Sequence, residues 1–310
     1  MVRIDTRHLL DIDSLGDAEL EWLLHRACAL AGDSAPARLD ASVVNLFFEP
    51  STRTRVSFEL AARRLGMSVV NIELDRSSSS KGESLEDTAA TLAAMGVAAI
   101  IVRHPQTGRC HQLAQTLPPG LRLLNAGDGS GHHPSQALLD AACLRRAGTD
   151  LQDRVIAIVG DIRHSRVARS GMSLFRRLGA AEVRVAGPPA LLPDSLPTGV
   201  VRADRLEDAV RDASVIMMLR IQHERMDRAA WPDPASYHAQ WGLKSAHLEL
   251  ARPDCRVLHP GPINRDLEIG SAVADGPQSL ILEQVRMGVF ARMAILEWLF
   301  GLDGKVVRQT

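Results

Sequence analysis

The sequence predicts an α/β protein of two parallel-sheet domains, on three observations. Short apolar runs alternate with longer amphipathic segments, the pattern of parallel strands joined by right-handed crossover helices. The 310 residues suffice for two domains of ordinary size. The alternation also pauses near residues 140–152 and then starts again, splitting the chain into two similar halves.

In the first half, residues 16–31 read as a helix, with Leu20, Leu23, Leu24 and Ala27 on one face. Residues 42–48 read as a buried strand. The segment Glu49-Pro-Ser-Thr-Arg-Thr-Arg55 then turns into a helix that runs to Leu65 and stops at Gly66. A strand is expected at 68–74, a polar serine-rich loop at 75–82, and a helix at 84–95 with acids in its first turn. Strands follow at 98–102 and 121–125, and a long helix at 135–147. In the second half, strands are expected at 154–159, 182–186, 215–219 and 255–259. A helix runs from about 166 to 178, and the final helix spans about 278–299.

Composition narrows the partners. The chain is 45% hydrophobic and 24% charged with a net charge of −1, so no global basic field calls for nucleic acid or an anionic membrane. Aromatics are 4%, with Tyr237 the single tyrosine, too few for base-stacking platforms. Cys28, Cys110, Cys143 and Cys255 are scattered, without metal or redox spacing, and fit a reducing cytoplasm. The N-terminal Met1-Val-Arg-Ile-Asp-Thr-Arg-His lacks the apolar core of a secretory signal, and no 18-residue apolar stretch is present. The expectation is a cytoplasmic location. Of the 36 basic residues only Lys81, Lys244 and Lys305 are lysine, a bias of the kind a GC-rich genome produces.

The polar segments marked by glycine or proline all follow strands. Ligands of open α/β sheets bind beyond the carboxyl ends of the strands, so these segments should converge. Ser51-Thr-Arg-Thr54 places hydroxyls, helix N-terminal amides and a guanidinium together, as an anion site does, although Ser51 or Thr52 equally suits ordinary capping. It is not a Walker loop, because no Gly-x-x-x-x-Gly-Lys precedes it. Lys81 sits at the tip of the serine loop, and Arg103 at a strand end. His133 opens a helix as a candidate hydrogen-bond donor to a carbonyl oxygen, with Gln136 one turn on. Beside His132, it lacks a third ligand for a metal. The loop Gly160-Asp-Ile-Arg-His-Ser-Arg166 lacks the further glycines of a dinucleotide fingerprint. Arg220, Gln222 and Arg225 follow another strand, and His259-Pro-Gly-Pro262 exposes backbone carbonyls as acceptors.

Taken in order, these segments resemble the aspartate/ornithine carbamoyltransferases. Phe47-Phe-Glu-Pro-Ser-Thr-Arg-Thr-Arg-Val-Ser-Phe58 is similar to the family's carbamoyl phosphate signature. The segments at Lys81, Arg103, His133–Gln136, Arg220–Arg225 and His259–Pro262 follow in register, from about residue 8 to 300. The turn His259-Pro-Gly-Pro262 resembles the aspartate branch, whereas the ornithine branch carries His-Cys-Leu-Pro. Arg220 with Gln222 also suits an anionic substrate, since guanidinium binds carboxylate in a fork.

The resemblance implies a carbamoyl phosphate-binding domain at 1–140, completed by a C-terminal helix (283–310) packing back on it, and an aspartate-binding domain at 141–282. It implies transfer of a carbamoyl group to the amino group of L-aspartate, the second step toward UMP, without metal or organic cofactor. Ser51, Thr52, Arg53 and Thr54 would hold the phosphate. Arg103 would reach phosphate and carbonyl, His133 the carbamoyl oxygen, and Gln136 the carbamoyl amide. Arg53, Thr54, Lys81, Arg103 and His133 would form the catalytic set. Lys81, Arg166, Arg220 and Gln222 would hold the aspartate carboxylates, while the carbonyls of Gly261 and Pro262 orient its amine. Glu49 would pair with Arg166 and Arg225 when the domains close. Ser77 and Lys81 would arrive from a neighbouring subunit of a homotrimer, with or without regulatory or dihydroorotase-like chains. Carbamoyl transfer to another amino acid, and a non-catalytic scaffold, are the alternatives.

Overall fold

The computed structural model describes residues 7–73, 83–222, 225–226 and 233–303. The chain forms two compact units: Met1–Ala142 with Arg286–Thr310, and Cys143–Val285. No helix among the described residues is long and apolar enough to cross a membrane.

The first unit is built on a parallel five-stranded sheet of order β1-β5-β4-β2-β3, with β1 His8–Leu9, β2 Ser42–Phe47, β3 Ser68–Glu73, β4 Ala99–His104 and β5 Arg122–Asp128. The central strands are apolar on both faces. Val43, Val44 and Leu46 of β2 and Ala99 to Val102 of β4 are buried, as parallel strands covered on both sides require. The described residues of this first stretch of chain form helices α1 Asp17–Ala31, α2 Thr52–Arg64, α3 Leu85–Ala94, α4 Arg109–Ala114 and α5 Pro134–Arg146. Ser84 caps α3 by accepting from the Asp87 amide, and Glu86 and Asp87 favour its positive end.

The second unit repeats the plan with a parallel sheet of order β10-β9-β6-β7-β8. Its strands are β6 Val155–Val159, β7 Glu182–Ala186, β8 Val200–Arg202, β9 Val215–Met218 and β10 Arg256–Leu258. Helix α6 spans Arg166–Arg177, followed by the shorter α7 Leu206–Val210, α8 Pro234–Trp241, α9 Ser245–Leu248 and α10 Ser271–Ala274. The last helix, α11, spans Ile281–Leu299.

From Arg286 onward α11 belongs to the first unit. It is held there by polar contacts as well as apolar burial. Glu297, 1% exposed, accepts from Arg26 Nη2 at 2.9 Å and from the Ala37 amide at 2.8 Å. Arg122 Nε donates to the Leu299 carbonyl, and Arg286 to that of Ala31.

The structure departs from the sequence reading at short elements. β1, β8, α4 and α7 to α10 are each eight residues or fewer, too short to show periodicity. The final helix begins at Ile281 rather than 278, because residues 278–280 lie extended beside β10. The Val257 amide donates to the Gln278 carbonyl there, and the Leu280 amide to that of Val257. β5 runs on to Asp128, past the expected end at 125.

Both sheets reverse direction near the middle. In the first unit the chain leaves β2 for β3 on one side and leaves β4 for β5 on the other. In the second it leaves β6 for β7 on one side and reaches β9 on the other. The turns after β2 and β4, and those after β6 and β9, therefore flank the two topological switch points, where α/β sheets open a crevice at the strand ends.

Candidate active site

The first switch point carries the segment 49–54. Ser51 is the N-cap of α2, yet it makes no capping hydrogen bond. The capping alternative is thus not the one the fold uses. No acid stands in the first turn of α2. Thr54 is buried at 7% exposure, while Thr52 and Arg53 are exposed. Ser57 Oγ lies 2.7 Å from the Arg53 carbonyl and pins that first turn. A helix N-terminus without its own cap offers amides and a positive dipole end to an anion.

Arg103 stands opposite Phe47 in the β2–β4 pairing, so strand register alone brings it beside the 49–54 turn. Its Nη1 donates to the Ala126 carbonyl at 3.3 Å, and its Nε lies 3.5 Å from Glu49 Oε2. Glu49 therefore sits next to a cation of its own unit. Arg225 donates to the His164 carbonyl at 2.7 Å.

Asp128, fully buried, ties the turn after β5 to the turn after β4. It accepts from the His132 amide at 2.7 Å and from the Gly108 amide at 2.8 Å. Gly129, at φ +47°, allows the two turns to meet. A Cβ there would collide with Thr107 Oγ1. This places His133, 4% exposed, just ahead of α5, in the turn that follows the strand paired with that of Arg103. Gln136, on the first turn of α5, donates from Nε2 to Asp140 Oδ1 at 2.9 Å. Burial and the nearby Arg109 charge lower the His104 pKa, so this neighbour of Arg103 is held neutral at physiological pH.

In the second unit, Asp161 organises the switch point. It is fully buried and directly follows Gly160 at the end of β6. Its Oδ1 accepts from the His164 amide at 3.2 Å and its Oδ2 from the Gln222 amide at 3.0 Å. The turn that leads to Arg166 and the turn that carries Arg220 and Gln222 are thereby pinned together. Arg220 Nη2 lies 3.5 Å from Gln222 Oε1. Ser165 caps α6 by accepting from the Ala168 amide, which fixes Arg166, 4% exposed, at the helix start. Asp161→Ala leaves two amides without their acceptor. It is expected to destabilise the fold by about 2–4 kcal/mol in urea unfolding. A loss under about 0.5 kcal/mol would show that the turns hold without it.

β10 lies beside β9, so its end turn adjoins the same crevice. His259 Nδ1 accepts from the Gly261 amide at 2.8 Å, and its Nε2 lies 3.1 Å from Glu268 Oε1. An accepting Nδ1 leaves the proton on Nε2, which donates to Glu268. Glu268 also accepts from the Asn264 amide at 2.6 Å. Gly261 has φ +65°, which glycine adopts without strain, and the Gly261–Pro262 peptide is cis.

The described residues thus bring together Ser51, Thr52, Arg53, Thr54, Arg103, His133 and Gln136 in the first unit. They bring together Arg166, Arg220, Gln222, Gly261 and Pro262 in the second. Ser77 and Lys81 lie outside the described residues. Sequence reasoning missed three buried acids that hold the turns, Asp128, Asp161 and Glu268, and a fourth, Asp140, that holds Gln136. Two carried a signal, Asp161 in following the strand-end glycine and Asp140 in standing four residues after Gln136. Among the described residues, no group of three or more His, Cys, Asp or Glu is placed to hold a metal ion.

Two parallel α/β units, each with arginines and amides gathered at a sheet's switch point, define the class: a two-domain α/β protein built to bind small anions. Residues 7–146 match the aspartate/ornithine carbamoyltransferase carbamoyl-P binding domain, and residues 152–299 match the Asp/Orn binding domain of the same family. The chain belongs to the aspartate/ornithine carbamoyltransferase family. It is 48% identical over 304 residues to the aspartate carbamoyltransferase catalytic subunit of Xanthomonas campestris pv. campestris, covering 95% of this chain and 96% of that one. It is 50% identical over 303 residues to the subunit of the same name from Xylella fastidiosa, covering 95% and 94%. Aspartate transcarbamoylase from Trypanosoma cruzi, solved with carbamoyl aspartate and phosphate, superposes with a TM-score of 0.83. It is 30% identical, with 94% of this chain and 95% of that one covered. The same enzyme with N-(phosphonacetyl)-L-aspartic acid gives a TM-score of 0.81 at 31% identity, with 94% and 95% covered.

Proposed function

We propose that the protein transfers the carbamoyl group of carbamoyl phosphate to the amino group of L-aspartate, giving N-carbamoyl-L-aspartate and phosphate, the second step toward UMP. One observation carries this reading. An uncapped helix N-terminus with Arg53 and Thr54 stands at one switch point, and Arg166, Arg220 and Gln222 stand at the other. The two sites suit a phosphate and a dicarboxylate, and the curated relatives named above are aspartate carbamoyltransferases.

In the proposed mechanism Ser51, Thr52, Arg53 and Thr54 hold the phosphate through charge-assisted hydrogen bonds. Arg103, His133 and Thr54 donate to the carbamoyl oxygen as negative charge develops on it during attack by the amine. Neutral His133 suffices for that task. Arg166, Arg220 and Gln222 hold the aspartate carboxylates, and the Gly261 and Pro262 carbonyls accept from its amine. Orientation of the two reactants supplies much of the acceleration. The departing phosphate accepts the amine's proton, so no side chain needs to act as base. The chemistry needs no metal or cofactor.

Glu49 and Arg225 are assigned to closing the substrates in. Ser77 and Lys81 are assigned to the site of a neighbouring subunit in a homotrimer, in the cytoplasm. An outward-facing apolar set supports self-association: Val56 and Leu60 on α2 and Val70 on the edge strand β3 are 42%, 42% and 53% exposed.

Phosphate release from carbamoyl phosphate should depend on L-aspartate. Release with L-ornithine and not with L-aspartate would overturn the assignment, as would none with either.

A further inference from the structure

Asp140 has no part in the roles assigned above, yet it touches a residue that does. Gln136 Nε2 donates to Asp140 Oδ1 at 2.9 Å, and Asp140 is 0% exposed. A carboxylate only accepts hydrogen bonds, so it settles which end of the Gln136 amide it meets. The nitrogen faces Asp140, and the oxygen is the end left for a ligand.

A buried cation favours the ionised form of Asp140. Arg292 of α11 is 3% exposed and interacts electrostatically with Asp140. Burial pushes the Arg292 guanidinium down to about 10, against the pull of Asp140, so it still carries its charge at neutral pH. The same guanidinium lies 4.8 Å from the ring centroid of Phe58 on α2, and its Nη1 donates to the Gly288 carbonyl. One charge on α11 therefore serves both helices of the first unit's anion site.

We propose that Asp140 is a positioning residue that sets the choice of acyl group. By holding the Gln136 amide with its oxygen toward the substrate, it makes the site require an N–H where carbamoyl phosphate has its amide. Acetyl phosphate, of nearly the same shape and charge, presents a methyl group there and leaves that oxygen without a donor. The inference rests on the carbamoyl phosphate site proposed above.

Calorimetric titration of the full chain with carbamoyl phosphate, acetyl phosphate and inorganic phosphate tests it. The wild type should bind carbamoyl phosphate about tenfold more tightly than acetyl phosphate, the worth of one well-made hydrogen bond. In Asp140→Asn the new amide can donate to Gln136 Oε1 and turn its nitrogen toward the ligand. The preference should fall to about twofold or less, with inorganic phosphate binding unchanged. In the double variant Gln136→Glu, Asp140→Asn an acceptor again faces the ligand. The preference should return, although the added negative charge weakens both acyl phosphates alike. This rescue is a result that a merely structural role for Asp140 would not give. A wild type without the preference would overturn the proposed site and this inference with it. A wild type with the preference and an Asp140→Asn variant that keeps it would overturn the role of Asp140 alone. If Asp140→Asn does not fold, the double variant decides, and lack of preference there overturns the role as well.

Discussion

Arg53→Ala is expected to lower turnover on the order of 10³-fold while the chain keeps its fold. Arg53 is exposed on the first turn of α2, so alanine removes charge without opening a cavity. On the proposed mechanism the variant loses a guanidinium that offsets the negative charge growing on the departing phosphate. A group that stabilises charge mainly in the transition state acts on kcat more than on KM. Steady-state kinetics with both substrates varied, beside a thermal melt, measures this. A variant within about tenfold of wild-type kcat would remove Arg53 from the catalytic set.

The turn that bears Arg53 is readable in the sequence. Hydroxyls and an arginine directly follow an apolar strand run and precede a helical period, so local pattern alone places them at a strand end. What the sequence leaves open is whether Ser51 caps the helix. The folded backbone answers that: the Ser51 side chain accepts no capping hydrogen bond. Asp161 and Glu268 mark the limit of such reading. Asp161 receives the Gln222 amide across 61 positions, and Glu268 meets His259 across nine. Their partners are backbone amides and a ring nitrogen whose proximity depends on strand order. Strand order is not written in periodicity. Short elements such as β1 and α9 were illegible for a simpler reason, since two or four residues complete no period.

Arg220→Ala is the second large effect, and it should fall on the other substrate. The aspartate KM should rise on the order of 10²-fold, with carbamoyl phosphate binding little changed. Arg220 lies one residue from Ile221, 3% exposed, and reaches Gln222 at 3.5 Å. Its loss should therefore be confined to carboxylate recognition and leave the core alone. Arg220→Lys keeps the charge without the planar fork and should recover only part of the loss. Equal loss of both substrates' binding would show that Arg220 supports the fold rather than aspartate. Together, the Arg53 and Arg220 variants separate the two anion sites by kinetic signature.

Arg292 and Glu297 tie the first unit to the part of the chain that is synthesised last. Both stand on α11, and α11 leaves the ribosome only after the whole of the second unit has been made. The first unit, though translated first, must wait for these residues to close its core and to balance Asp140. Its order of maturation is thus the reverse of the usual N-terminal-first sequence. A stalled or prematurely terminated chain should carry an intact second unit beside a first unit that binds no phosphate.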